Sequence, residues 1–344
     1  MNNPVGLDGF AFLEFSGSDK QYLHQLFINF GFTKTQKHKT KDIAIYQQGE
    51  TIFILNAHQH SQANEHATLH GFGACAMGFY VHDNNDALAY TIEQGATAYE
   101  HHDKKLDPNR LAIEGIGGSL IYFCSRDEAD LFPEFEKIAE APPSNNSDLY
   151  LIDHLTHNVR QGNMDTWANF YINLFNFHEI RFFDIKGEKT GLLSRAMGSP
   201  CGKIKIPLNE SKDEISQIEE FLKDYKGEGI QHIALKTENI YESVENLRAN
   251  GIDFLDVPHT YYEMIADRVN WHTEDLDRME RNALLIDGDP TPAGGLLLQI
   301  FTKNLLGPAF FEIIQRKGND GFGEGNFTAL FEAIERDQIQ RGVI

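Results

Sequence analysis

Cysteine is scarce in this chain. Three residues, Cys75, Cys124 and Cys201, in a length of 344 cannot make the disulfide framework that staples small secreted folds, and they fit a reducing compartment. Cations are the minority charge: 30 Lys and Arg stand against 51 Asp and Glu, for a formal charge of −21. Nucleic acid and anionic lipid both require clustered Lys and Arg, so neither is expected as a partner. No apolar run approaches the roughly 20 residues of a membrane span. The opening MNNPVGLDGF has neither the basic nor the apolar region of a signal peptide. These absences predict a cytoplasmic globular protein, and the length suggests about two domains, each large enough for a real core.

One segment interrupts the patterned sequence. EAPPSNNSD, residues 140–148, concentrates Pro, Ser and Asn as a linker does, leaving residues 1–139 and 149–344 as two domains. The two halves resemble each other. A shift of 145 carries Asp8, Gly9, Tyr22, Phe30 and Phe32 to Asp153, His154, Trp167, Phe175 and Phe177. A shift of 156 carries Gly71, Gly73 and Gly95 to Gly227, Gly229 and Gly251. Within the second half, YLIDHLTHNV and EGIQHIALKT read as one opening strand used twice. Each unit is a short strand, an amphipathic helix and several further strands. The economical description is an α+β fold of four βαβββ modules, two per domain.

The opening strands differ in what they carry. The second half has His154 and His232 where the shifts place Gly9 and Ala76 in the first. A lone His on an apolar strand is ordinarily a core residue with one satisfied hydrogen bond. Here a carboxylate accompanies the pair: Glu312 interrupts Phe310, Phe311, Ile313 and Ile314 in what reads as a buried strand. An unpaired buried charge costs several kcal/mol or more, so such a Glu is paired, protonated or bound to a metal. Two neutral imidazoles and one carboxylate on one face are the ligand set of a non-haem Fe(II) site with open positions. His154 and His157 are three apart and face opposite sides of a strand, and the repeat selects His154. Phe310 and Ile314 share the face of Glu312, which places a phenyl ring beside the metal and suits an aromatic substrate. The first half, lacking these ligands, is expected to hold no metal and to serve structure or oligomerisation.

Two other segments invite a functional reading. HQHSQANEHATLH supplies His58, His60, His66 and His70, and His66 with His70 could bind zinc if helical. No cysteine or aspartate stands nearby, and the composition suggests an exposed loop. GFGEGNF, residues 321–327, imitates a phosphate-binding loop. Its third glycine is replaced by Asn326, it carries Glu324, and only 17 residues follow it, too few for a second strand of a nucleotide fold.

A set of segments carries a more specific resemblance. LIDHLTHNV, WANFY, FNFHEIRFFDIKG, IPLNE, GEGIQHIAL, TYYEM, LLLQIF, FFEIIQRKG and GFGEGNFTALFEAIERDQ closely resemble the bacterial 4-hydroxyphenylpyruvate dioxygenases. The resemblance is dense from about Leu149 onward and thinner before it. It implies the vicinal oxygen chelate fold, two open-barrel domains built from four βαβββ modules. It also implies Fe(II) held by His154, His232 and Glu312. Ser194, Asn209 and Gln217 match the polar residues near the substrate phenol, and Gln231 and Gln299 match the glutamines beside the metal. Phe301 and Phe327 match the rings that sandwich the substrate; Phe310, with Phe322 and Asn326 of the GFGEGNF segment, completes the pocket, and a C-terminal helix covers it.

The activity implied is conversion of 4-hydroxyphenylpyruvate, an aromatic 2-oxo acid, with O2 to homogentisate and CO2, a step of tyrosine and phenylalanine breakdown. Three protein ligands leave three positions for the oxo acid and O2, so 2-oxoglutarate is not required. A homo-oligomer, dimer or tetramer, is expected. The alternatives are a 4-hydroxymandelate synthase, which acts on the same substrate at the benzylic carbon, and a metal-binding module without catalysis.

Overall fold

The computed structural model describes residues 2–100, 111–126, 131–138, 147–186, 191–214, 216–288, 291–326 and 329. In the first half the order is β1 (Phe10–Ser16), α1 (Lys20–Asn29), β2 (Thr33–His38), β3 (Ile43–Gln48), β4 (Thr51–Asn56), α2 (Gln62–His70), β5 (Gly73–Val81), α3 (Asn84–Glu93), β6 (Ala112–Glu114), β7 (Leu120–Ser125) and β8 (Phe135–Lys137). The second half runs β9 (Leu151–Val159), α4 (Met164–Phe175), β10 (His178–Lys186), β11 (Gly191–Gly198), β12 (Lys205–Ser211), α5 (Gln217–Asp224), β13 (Gly229–Lys236), α6 (Ile240–Ala249), α7 (His259–Glu263), α8 (Ile265–Arg268), α9 (Leu276–Asn282), β14 (Leu285–Gly288), β15 (Leu296–Phe301) and β16 (Phe310–Lys317). Helix starts follow their caps: the side chains of Asp19, Ser61, Asp83, Ser216 and Asn239 accept first-turn backbone N–H groups.

Each half is one eight-stranded mixed sheet, in the orders β6-β7-β5-β1-β4-β3-β2-β8 and β10-β11-β12-β9-β13-β16-β15-β14. The two opening strands of a half pair antiparallel at its centre, β1 with β5 and β9 with β13. Each opening strand then pairs parallel with a later strand of its own module: β1 with β4, β5 with β7, β9 with β12, and β13 with β16. This is the expected modular repeat. Among the described residues the second module sets two strands after its helix beside β5, β6 and β7, with an isolated bridge between Ala98 and Ile113, while its third strand, β8, joins the far edge of the sheet against β2.

Register corrects the assumed equivalence of His154 with Gly9. In the central pair of the second half His154 faces Ala234 and Thr156 faces His232. In the first half Phe12 faces Gly78 and Glu14 faces Ala76. If Ala76 is the counterpart of His232, the counterpart of His154 is Phe12, and Gly9 lies before the strand begins. Similarly, Glu312 is paired to Ala234 and Tyr122 to Gly78. The three equivalent positions of the first half therefore hold Phe12, Ala76 and Tyr122. The rings of Phe12 and Tyr122 lie 5.7 Å apart, and with Phe132, Phe135 and aliphatic neighbours they fill that half from within. The 145-residue shift is fixed by the helix that follows; the loop between strand and helix differs in length, so the shift fails on the strand itself.

The two halves share a continuous core. Phe311 of β16 lies 4.6 Å from Phe30 and 6.4 Å from Phe15 across the domain boundary. Most of the linker is outside the described residues, but its end is anchored: buried Ser147 donates to the Phe30 carbonyl, and Leu149 N–H to Gln48 Oε1 at 2.9 Å. His66 and His70 stand in α2, buried at this boundary, rather than in an exposed loop. His66 Nε2 is 3.1 Å from the Tyr225 hydroxyl, and His70 Nδ1 is 2.6 Å from the Tyr225 carbonyl. The His70 ring stacks on Tyr225 at 4.4 Å. Capping by Ser61 starts a helix that composition alone disguises, and the interface consumes its histidines.

Candidate metal centre and active-site cavity

Strands β9, β13 and β16 are adjacent, and register places their key residues in one row. Ala234 is opposite His154 on one side and Glu312 on the other, while His232 sits two residues along β13. Residues two apart share a face, so all three side chains emerge together, with the methyl of Ala234 leaving room between them. His154 Nε2 is 3.1 Å and His232 Nε2 3.5 Å from the same oxygen of Glu312. One donor atom from each residue lies within 4.8 Å of the others, the one such group among the described residues. His157 faces the other way, 2.8 Å from the Tyr171 hydroxyl.

Two β-bulges orient the histidines. Between Ala234–His154 and Leu235–Ile152 the ladder skips Asp153; between Ile230–His157 and His232–Thr156 it skips Gln231. A bulge re-aims the extra side chain. Each bulged residue therefore reaches its following histidine, which an undistorted strand would prevent: Asp153 Oδ2 is 2.9 Å from His154 Nδ1, and Gln231 Oε1 is 2.9 Å from His232 Nδ1. An acceptor on Nδ1 holds the proton there and turns the Nε2 lone pair toward the centre. Arg316, four residues beyond Glu312 on β16, donates twice to Asp153, at 2.8 and 2.7 Å.

Charge states follow from these neighbours. Burial alone would raise the Glu312 carboxyl, but the charge and hydrogen bonds of His154 and His232 outweigh it and bring it down to about 2. Burial lowers His232, against the opposing hydrogen bond from Glu312. For His154 burial also lowers, yet Glu312 and Asp153 together raise it above the ordinary histidine range. An ionised carboxylate and two imidazole nitrogens, nearly closed to solvent and converging, fit a divalent first-row metal: the donors are of the right type and the cation would offset a charge that is otherwise buried.

The triad lines an open cavity. Ser194 and Asn209, paired across β11 and β12, line it together with the apolar side chains of Phe183, Leu192, Phe301 and Phe322. Phe322 lies edge-on to His154 at 5.4 Å, and Phe310 stacks on His232 at 5.0 Å. Gln299 is 1% exposed on β15, and its Oε1 has no hydrogen-bond partner among the described residues, a polar atom that awaits one. Asn326 is buried and accepts from the Tyr261 hydroxyl at 2.6 Å. Gln217 departs from expectation. It is exposed at the first turn of α5, because that helix buries Ile218, Phe221 and Leu222 and turns Gln217 outward; like Gln231, Gln299, Phe310 and Asn326, it is not among the residues that line the cavity. Phe327 and the C-terminal helix lie outside the described residues. Sequence pattern did not single out Thr156, Phe183, Leu192, Pro207 or Glu324, all of which line the cavity. Thr156, Leu192 and Pro207 each stand two residues from a named site residue, and Phe183 is the cross-strand partner of Ser194, so strand alternation would have found them. Asp153 and Arg316 were missed because a bulge is invisible to alternation.

Comparison with known proteins accords with this geometry. Residues 1–136 match the family described as "Hydroxyphenylpyruvate dioxygenase, HPPD, N-terminal", and residues 151–300 match the "Glyoxalase/Bleomycin resistance protein/Dioxygenase superfamily". A 4-hydroxyphenylpyruvate dioxygenase of Legionella pneumophila (strain Corby) is 59% identical over 100% of this chain and 98% of its own length. Among solved structures, a xylose isomerase-like TIM barrel/4-hydroxyphenylpyruvate dioxygenase fusion protein superposes with a TM-score of 0.81 at 28% identity, over 97% of this chain and 54% of that one. A mutant 4-hydroxymandelate synthase from Streptomyces coelicolor gives 0.79 at 24% identity, over 96% and 99% of the two chains, a likeness of fold. The fold is thus the vicinal oxygen chelate fold, and no helix among the described residues is long and apolar enough to cross a membrane. With full-length identity of this order, the chain belongs to the 4-hydroxyphenylpyruvate dioxygenase family.

Proposed function

We propose that this enzyme converts 4-hydroxyphenylpyruvate and O2 to homogentisate and CO2, using Fe(II) held by His154, His232 and Glu312. The observation that carries the reading is the convergence of two imidazoles and a carboxylate in a cavity with apolar walls and a polar Ser194–Asn209 pair. Iron(II), when bound, supplies the Lewis acidity that holds a 2-oxo acid and the redox chemistry that O2 requires. The remaining work falls to the chain. Phe301 and Phe322 present apolar surface to the aromatic ring and keep water from it. Ser194 and Asn209 offer hydrogen bonds to the phenol hydroxyl, which fixes the ring end for end. Gln299, with its unpaired carbonyl oxygen, and Gln231, already bonded to His232, are assigned to the oxo-acid end, and Asn326, held by the Tyr261 hydroxyl, anchors the segment that carries Phe322. Phe310 backs His232 and fixes its ring plane.

Oxygen uptake by the Fe(II)-loaded protein with 4-hydroxyphenylpyruvate, followed by chromatography of the products, tests the proposal. Homogentisate with one CO2 per O2 is expected. 4-Hydroxymandelate would instead assign the benzylic reaction, and no uptake would leave a binding module.

A further inference from the structure

The two histidines are held differently, and the difference is one of charge. His232 donates Nδ1–H to a neutral amide, Gln231, whereas His154 donates to a carboxylate, Asp153, both at 2.9 Å. Asp153 is itself buried, with its side chain 6% exposed, and is paired with Arg316 at 7%. The guanidinium reaches further. Its Nη1 donates to the carbonyl of Asn319 at 3.0 Å and of Gly321 at 2.7 Å. Those carbonyls belong to the loop that delivers Phe322, whose ring lies against His154 and faces the cavity. The fork geometry of Arg permits both attachments at once; a Lys could not make them.

We propose that Asp153 and Arg316 form a positioning unit which makes His154 the stronger of the two histidine ligands and ties it to the loop carrying Phe322. The proposal rests on the reading that the triad binds a divalent metal. A carboxylate accepting from Nδ1–H draws the proton partly away and increases electron density at Nε2, more than the amide oxygen of Gln231 does for His232. Arg316 holds the buried carboxylate in place with two hydrogen bonds, and its remaining edge is satisfied by the loop. The unit consists of residues that touch neither metal nor substrate, and acts through His154 and Phe322.

The test uses the full-length protein and Co(II), with affinity measured by competition against a chelator and the ligand field read from the visible absorption bands. Asp153→Asn should weaken Co(II) binding about 10- to 100-fold and shift the bands. It should also lower the melting temperature of the metal-free protein, because Arg316 is left buried without its counter-charge. The double variant Asp153→Asn, Arg316→Gln removes that charge and should recover melting temperature but not Co(II) affinity or spectrum. Arg316→Lys keeps a carboxylate on His154, so it should retain the bands while raising KM through a loosened Phe322. Wild-type affinity and bands in Asp153→Asn would overturn the proposal, as would recovery of both in the double variant. If the double variant fails to fold, Asp153→Asn checked by circular dichroism decides alone. Absence of Co(II) binding by the unaltered protein would instead sink the metal reading, and this proposal with it.

Discussion

His157 offers the most quantitative test of how this sheet is built. Its ring is fully buried behind β9, and burial pushes its pKa down to about 3, so the folded protein keeps it neutral. In the unfolded chain it titrates near the ordinary value of about 6.5. The folded state therefore binds fewer protons than the unfolded state between those two values, and stability rises with pH across that window. Read downward, the ring costs nothing at pH 7 and opposes folding progressively as pH falls below about 6.5. The cost reaches roughly 2 kcal/mol at pH 5, at about 1.4 kcal/mol per unit. That is a large share of a folding free energy of roughly 5–15 kcal/mol. His157→Gln keeps a hydrogen-bonding partner for the Tyr171 hydroxyl and removes the titration. Urea unfolding of metal-free wild type and variant at pH 7 and pH 5 isolates the effect, since every other titrating group cancels in the difference. The wild type should lose about 2 kcal/mol more than the variant over that interval. Equal losses would show that His157 is not held neutral, and the account of the two faces of β9 would need revision.

Further outcomes follow from the site. Glu312→Ala should abolish stoichiometric metal binding and turnover while moving the melting temperature of the metal-free protein by only a few degrees, because it removes a ligand and a buried charge together; metal analysis and calorimetry check both, and a variant that still retained iron would remove Glu312 from the ligand set. His154→Ala and His232→Ala should lose metal, whereas His157→Ala should keep it. Metal analysis of the loaded protein should give about one iron per chain, since Phe12, Ala76 and Tyr122 occupy the equivalent positions of the first half. Gly323→Ala should lower kcat/KM about ten- to a hundredfold: its φ is +75°, and a Cβ there would lie 2.0 Å from Gln299 Oε1, so the amide must move. Unchanged kinetics would separate Gln299 from the substrate.

Local pattern carried much of this protein into view. Alternation distinguished the face of Glu312 from that of Phe311 and His157 from His154, because a strand has a period of two and its neighbours leave no freedom in the matter. Internal repetition exposed the modules and the histidine pair, since each module must bury the same opening strand. Other features depended on how strands meet. The bulges at Asp153 and Gln231 exist only as a mismatch between β9 and β13, so a single strand gives no sign that either residue will turn onto its neighbour. The same holds for the counterpart of His154, which cross-strand register moves to Phe12. His66 and His70 look solvated in a polar segment, yet packing of α2 against Tyr225 buries them. Gln217 aligns as a pocket residue, but the rotation of α5 about its buried Ile218, Phe221 and Leu222 decides otherwise. Sequence determines which face of an element is apolar and which side chains can bind a metal; only tertiary packing decides which of them meet, because distances between elements are set by register, bulges and helix rotation that no local pattern encodes.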